Sequence, residues 1–446
     1  MDEEKKIINR ELFIKIVSGI WGLVLKKTYV SIDEKIEKDF FLNSLFNEIQ
    51  NSTFSPSNPR EYIVSNKHNL VSRIVPVLSI KDICVYYFCL KILENNLAIN
   101  RIDSTYGGFR MGGKIRKMEE LDFESVNEVP FSISPYTFNP LAWVEAWRDF
   151  QRKAYVYSKQ EEYSYFIKFD IANFYDCINL NLLEKKVRTT CNGDYSEVID
   201  LLFHFLKNWN KKFDKYFPKS VGLAQDEVGD CSRILANFYL QDFDKVFSDY
   251  CITNNIQYLR YADDMLIMGK NQIHTKKALF FASKELSKIG LNINSSKVDC
   301  FNSLAEYNRY WAFDIFNKLG DKNSKFDIES AIEDYKFNLE NNINFRKDSV
   351  LARILNCNLQ IIDITKKQYI LAQVLNDDFL VNCEEFALKR LYYILSESDK
   401  ILLKEKLESL IDVTYFNKYH YVLLKLSNLF KFNETRLKLK IEELKF

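Results

Sequence analysis

The sequence predicts an α+β fold in which strands and helices intermix up to about Lys318 and helices alone follow. Two distributions predict it. All 7 Pro fall at or before Pro218 and all 12 Gly at or before Gly320, so the last 126 residues contain neither breaker of regular structure. Within that stretch apolar residues keep helix spacing, at Leu388, Leu391, Tyr392 and Leu395, at Leu403, Leu407, Leu410 and Ile411, and at Leu437, Ile441 and Leu444. Upstream, short apolar runs bounded by turns read as strands, among them residues 166–169 and the pair 256–261 and 265–268.

Taken in order, about the first 50 residues read as helical, with Phe13, Ile16, Val17, Ile20 and Trp21 on one face. Ser55-Pro56-Ser57-Asn58-Pro59 interrupts them. Residues 62–64 and 73–77 are strand-like around a basic turn, and an apolar helix runs over 81–97. The glycines of Tyr106-Gly107-Gly108-Phe109-Arg110-Met111-Gly112-Gly113-Lys114 permit close backbone approach, although a flexible surface loop is the favoured reading. Residues 143–155 form a helix in which Trp143, Trp147, Arg148, Arg152 and Lys153 either face a nucleic-acid backbone or, for the Trp pair, pack a core.

Composition bounds the function less than it bounds the class. With 47% apolar and 28% charged residues the chain is a folded one, and 446 residues suggest two or three domains. The 35 Phe and 26 Tyr imply ring-rich cores, with a few rings free to stack on bases. A net charge of +1 gives no global cationic field, so a polyanion site must come from local Lys and Arg. Nine Cys without a Cys-x-x-Cys pair and four scattered His argue against zinc and for a reducing compartment. No apolar run reaches the length of a membrane span, and the expected location is the cytoplasm.

Chemistry concentrates in Tyr261-Ala262-Asp263-Asp264, where adjacent carboxylates sit in a turn between two apolar arms. Alone, such a pair reads as a solvated turn. Asp170, at the end of the apolar strand 166–169, adds a third carboxylate. Three acids on strand ends can hold a pair of Mg²⁺ ions, which clamp the attacking and leaving oxygens of a phosphoryl displacement.

These blocks, in order, carry a resemblance. Phe169-Asp170 with Phe174-Tyr175, Gly222-Leu223-Ala224-Gln225, Ser232-Arg233-Ile234-Leu235-Ala236-Asn237 and Arg260-Tyr261-Ala262-Asp263-Asp264 resemble the palm of a reverse transcriptase. Residues 286–297, ending in Lys297, are similar to the element that follows the family's active-site hairpin, and Lys67 and Arg73 with Ile74-Val75-Pro76 to its fingers strands. The resemblance implies a right-hand polymerase, fingers and palm with an antiparallel sheet, followed by an all-α C-terminal thumb and helical array. Its domains would be an N-terminal helical extension (1–55), fingers (56–160), the palm or catalytic core (161–320) and a helical thumb and C-terminal domain (321–446).

It further implies two Mg²⁺ ions, or Mn²⁺ in their place, held by Asp170, Asp263 and Asp264 with the Ile171 backbone beside them. Lys67 and Arg73 would take the β and γ phosphates. Tyr175 would lie beneath the sugar and clash with a 2′-hydroxyl, Gln225 would contact the nucleotide or template base, and Lys297 would donate a proton to pyrophosphate or merely cap a turn. The expected activity is RNA-directed DNA polymerisation from deoxynucleoside triphosphates, with a non-coding RNA as template and DNA as product. Ser232 to Asn237 and the long tail most resemble the bacterial phage-defence and abortive-infection group, whose members work with a non-coding RNA or without ordinary template, some primed by a protein side chain, some as oligomers. The sequence departs from the family where Ala224-Gln225-Asp226 replaces Pro-Gln-Gly in an acidic loop with Glu227 and Asp230, which points to unusual template handling. Untemplated, protein-primed synthesis is therefore a second reading. A third is an idle RNA-binding scaffold that recruits an effector, against which the three intact acids speak. The tail exceeds what a thumb needs, and self-association is one use for the rest.

Overall fold

The computed structural model describes residues 7–26, 30, 36–68, 71–108, 142–160, 162–191, 193–210, 212–214, 217–219, 222–224 and 231–445. They divide into two compact units, one of Met1–Arg60, Pro76–Lys117 and Val126–Leu304, the other chiefly of Glu61–Val75 and Ala305–Phe446. Nine strands occur among the described residues: β1 Glu61–His68, β2 Val71–Val77, β3 Thr105–Tyr106, β4 Tyr165–Phe169, β5 Lys212–Asp214, β6 Phe217–Lys219, β7 Ile256–Tyr261, β8 Asp264–Gly269 and β9 Asp299–Phe301. No described helix is long and apolar enough to cross a membrane.

The first unit is built on a five-stranded sheet of order β3-β7-β8-β4-β9, antiparallel except where β3 runs parallel to β7. Central β4 and β8 pair Phe169 with Met265 and Tyr165 with Gly269. Tyr165, Ile167, Phe169, Met265 and Ile267 are buried on the face packed by the helices Cys231–Thr253 and Gln272–Ser287. Phe166, Leu266 and Met268 on the opposite face are also buried, which is why these strands read as continuous apolar runs rather than alternating ones. The helix Ala142–Ser158 lies against β7 and β3.

In the same unit the helix Ile80–Leu97 is buried nearly all round. Ser79 caps it, its hydroxyl accepting the Asp82 amide (3.1 Å), while Asp82 Oδ2 accepts the Ser57 amide (3.0 Å) and so ties down the Pro-rich interruption. Asp82 Oδ1 is buried without a donor, and burial, partly offset by the bonds from Ser79 and Ser57, pushes the carboxyl up to about 6. A carboxyl raised on folding favours the folded state below its unfolded pKa and withdraws that contribution as pH rises through the folded one. Asp82→Asn keeps the acceptor for Ser57, so it should be more stable than the parent at pH 7 by up to about 3 kcal/mol. The advantage should vanish by about pH 3, below the unfolded pKa; denaturant titrations giving equal differences at both pH values would refute this account.

The second unit is helical from Lys325–Glu340 to Glu434–Glu443 apart from the β1–β2 hairpin, with Leu388, Leu403, Leu407, Leu437 and Ile441 buried as their spacing predicts. The hairpin is held within this unit by Asn417, fully buried at the start of the helix Asn417–Lys425. Its Oδ1 accepts the Val64 amide (2.7 Å) and its Nδ2 donates to the Tyr62 carbonyl (2.8 Å). One side-chain amide thus supplies β1 with the two bonds that a neighbouring strand would have made.

Candidate active site

β7 and β8 join through a two-residue loop, because Tyr261 pairs with Asp264 and leaves only Ala262 and Asp263 between. Asp264 is therefore the first residue of β8 rather than part of the turn. Ala262 takes a left-handed conformation (φ 51°), which a residue with a Cβ adopts only where its surroundings enforce it. Here Arg260 enforces it. Its guanidinium is wholly buried, Nη1 donating to the Ala262 carbonyl (2.7 Å) and to Asn237 Oδ1 (2.7 Å), Nε and Nη2 forking onto Asp244 (2.7 and 2.5 Å). Tyr258 adds a hydroxyl bond to Asp244 Oδ1 (2.8 Å).

Asn237 also donates to the Gly108 carbonyl (3.2 Å), and Gly107 beside it has φ +122° with Asn237 3.3 Å from where a Cβ would stand. The start of the glycine loop is thus a close backbone approach to the helix Cys231–Thr253, not the free surface loop its composition favours. Residues 109–114 lie outside the described ones.

Asp170 ends β4 almost fully buried. Its carbonyl accepts the Asn294 amide (2.7 Å), Ala172 donates to the Asn292 carbonyl (2.8 Å), and Ile171 bridges Ile293. This splint carries the turn Ser295–Lys297 to the site, where the Lys297 ammonium pairs with Asp170 Oδ2. Asp263 stands beside Asp170. Burial first, then the charges of Asp170 and Asp264, push the Asp263 carboxyl up to about 7. When both groups are ionised they only accept, and Asp170 Oδ1 is left buried without a donor. Asp264 pairs with Lys168 (2.7 Å), its neighbour on the same sheet face.

The structure therefore brings together Asp170, Ile171, Asp263, Asp264 and Lys297. Tyr175, in the short helix Phe174–Cys177, is half-buried and packs against Phe174 (5.5 Å between rings). Its carbonyl accepts the Leu223 amide (2.9 Å), an approach that requires Gly222, where a Cβ would lie 2.2 Å from that oxygen. Gln225, with Asp226, Glu227 and Asp230, lies outside the described residues. Lys67 and Arg73 are exposed on β1 and β2 in the second unit, and neither pairs with a carboxylate among the described residues. Trp147, half-buried, packs on Phe150 (5.4 Å) and Tyr261 (4.9 Å), as the core reading expects; the Trp143 side chain is outside the described residues.

A divalent ion fits these residues in charge and donor type: hard carboxylate oxygens, one of them orphaned, and an acid whose ionised form its neighbours disfavour. Among the described residues no three acidic, His or Cys side chains are already drawn into a cage, and Lys297 and Lys168 supply the positive charge at Asp170 and Asp264.

The model of the family described as reverse transcriptase (RNA-dependent DNA polymerase) matches residues 95–327, more than half of the chain. That span encloses every acid of the site and leaves out Lys67 and Arg73. No curated protein matches. Among solved structures, apo telomerase of Candida tropicalis truncated from its C-terminal domain is similar at 15% identity and TM-score 0.35, over 60% of this chain and 56% of that one. The apo telomerase of the same organism gives 11% and 0.38 over 93% and 74%, and Candida albicans telomerase with a fragment of telomeric RNA gives 12% and 0.32 over 64% and 52%. The first of these structures is thus spanned for little more than half its length. A matched model that covers the acid-bearing hairpin, its partner strand and the Lys297 turn settles the family: the chain belongs to the family described as reverse transcriptase (RNA-dependent DNA polymerase).

Proposed function

We propose that this protein copies an associated non-coding RNA into DNA with Mg²⁺ and deoxynucleoside triphosphates, as part of a defence against phage. The observation that carries the polymerase reading is the placement of Asp263 beside Asp170, with Asp264 adjoining, on a loop held rigid from below. Asp170 and Asp263 would hold the ions, with Asp264 as an electrostatic neighbour whose charge Lys168 steadies. Bound there, Mg²⁺ neutralises charge on the attacking and leaving oxygens of phosphoryl transfer. The protein's own part is positioning: the Asn292–Asn294 splint fixes the end of β4, and Arg260 fixes the loop of Asp263. Lys297 is within reach of the same acid and suits a proton donor to the leaving pyrophosphate. Tyr175, its backbone pinned by Leu223, suits a platform that favours sugars lacking a 2′-hydroxyl.

The defence role rests on the resemblance of Ser232 to Asn237 and of the helical tail. The acidic loop after Ala224 favours a second reading, synthesis without a template. Purified protein should yield a bound RNA on extraction and, given Mg²⁺ and all four deoxynucleotides, make DNA complementary to it. Homopolymers formed from single deoxynucleotides without RNA would replace the first reading by the second; no incorporation with Mg²⁺ or Mn²⁺ would defeat both. Cells expressing the protein should lose plaque protection with Asp263→Asn, and retained protection would remove the link between synthesis and defence.

A further inference from the structure

The turn Ser295–Lys297 brings a lysine to the acid cluster with no apolar side chain to keep it there. Ser295, Ser296 and Lys297 are all exposed, so bonds and not burial give the turn its place. The ion pair of Lys297 with Asp170 does little of that by itself, because an ammonium this open to water gains little from its partner and loses rotamer freedom in meeting it.

The chain on either side is fixed. After the turn, β9 pairs with β4 and sets Asp299 across from Lys168. Before it, the buried Tyr239 donates its hydroxyl to the Ile289 carbonyl (2.7 Å), and Leu291 is fully buried.

Asn294 is where this support reaches the turn. Its amide donates to the Asp170 carbonyl (2.7 Å), and its own carbonyl accepts the Lys297 amide (3.0 Å). Its side-chain Oδ1 accepts the Ser296 amide (3.2 Å) and the Ser296 hydroxyl (2.7 Å). These side-chain bonds close an Asx turn, a local conformation selected by the Asn side chain itself. Asp170 is thereby gripped twice, at its carbonyl by Asn294 and at its carboxylate by Lys297 three residues on. The 3₁₀ turn that Oδ1 caps is only three residues long, so there is almost no helix for the cap to stabilise. What the cap fixes is the path of the chain to Lys297.

We propose that Asn294 is a positioning residue for the polymerase reaction, its side chain holding the Lys297 ammonium at Asp170. The step it serves moves one proton from Lys297 Nζ to the pyrophosphate oxygen as that oxygen's bond to phosphorus breaks. The inference rests on the reading of Lys297 as this donor, but the hold on Lys297 is measurable without catalysis. Metal-free, full-length protein is treated with the N-hydroxysuccinimide ester of acetate, and the acetylation rate of Lys297 is read by peptide mass spectrometry. Lys270 and Lys288, each paired with a glutamate elsewhere in the unit, serve as controls. N294A should raise the Lys297 rate about fivefold, the scale of a lost side-chain cap, and leave both control rates unchanged. N294S, whose hydroxyl accepts the same amide more weakly, should restore part of the protection.

In radiolabelled extension with Mg²⁺, N294A should lower kcat at least about tenfold with KM for deoxynucleotide little changed, a share of the roughly 100-fold to 10,000-fold that a positioned general acid supplies. In a K297M background it should cost nothing further, because it acts only through the ammonium. Parental labelling of Lys297 in N294A would overturn the hold. An equal loss of kcat in the K297M background, or K297M extending at the parental rate, would overturn the catalytic role. A parent that incorporates nothing while N294A still exposes Lys297 would defeat the polymerase reading and leave the hold standing.

Discussion

Asp263→Asn lowers deoxynucleotide incorporation by at least about a thousandfold, the scale on which a preorganised charge at a phosphoryl-transfer centre acts. The fold does not suffer with it. Asp263 is half-buried and crowded by Asp170 and Asp264, so an uncharged isostere relieves repulsion rather than breaking a bond. The melting temperature of the variant should equal or exceed the parent's. A radiolabelled extension assay with Mg²⁺ and then Mn²⁺ provides the measurement. If Asp263→Asn combined with Asp264→Asn still incorporated nucleotides at the parental rate, the acid cluster would not be the catalytic centre. If it lost incorporation but kept every biological effect, the protein would act as a scaffold.

Arg260→Met produces the largest loss of stability expected anywhere in the first unit. The substitution leaves Asp244 charged in a dry interior and strips donors from Asn237 and the Ala262 carbonyl, for a loss of about 3–5 kcal/mol. Adding Asp244→Asn should recover much of that stability, since a buried pair replaced whole is often near neutral. Activity should not recover, because the Ala262 carbonyl still lacks the donor that holds its left-handed turn, and Asp263 rides on that turn. Arg260→Lys keeps the charge but not the fork, and should lose catalytic rate more than nucleotide affinity. Calorimetry beside steady-state kinetics separates the two effects, and a double variant regaining full activity would deny Arg260 its positioning role.

Much of this was legible in the sequence, for identifiable reasons. The acid-tipped hairpin announces itself because two apolar arms flank a polar turn, and the tail because it lacks Gly and Pro over 126 residues. Lys297 was placed by resemblance, and the structure puts it on Asp170 through a splint that no local pattern encodes. Arg260 went unread because a single charge in an apolar strand has no periodicity. Its partners did leave a trace, since Asn237, Gln241 and Asp244 lie four and three residues apart on one helix face that is otherwise apolar, and all three are buried. Lys168 escaped because its partner Asp264 was expected in the turn, whereas it opens β8 and faces the same side of the sheet. The grouping of residues 61–75 with the C-terminal helices was beyond reading altogether, since it rests on partners hundreds of residues away, among them Asn417 on Val64 and Lys445 on Glu61.

That distance has a consequence for how the chain is made. Val64 and Asn417 are separated by 353 positions, which a ribosome working at roughly 5–20 residues per second needs on the order of 20–70 s to traverse. Throughout that interval the outer edge of the hairpin faces the cell with its amide and carbonyl groups available to any passing strand. The nascent protein therefore has a window of vulnerability to aggregation that closes only as its final helices emerge.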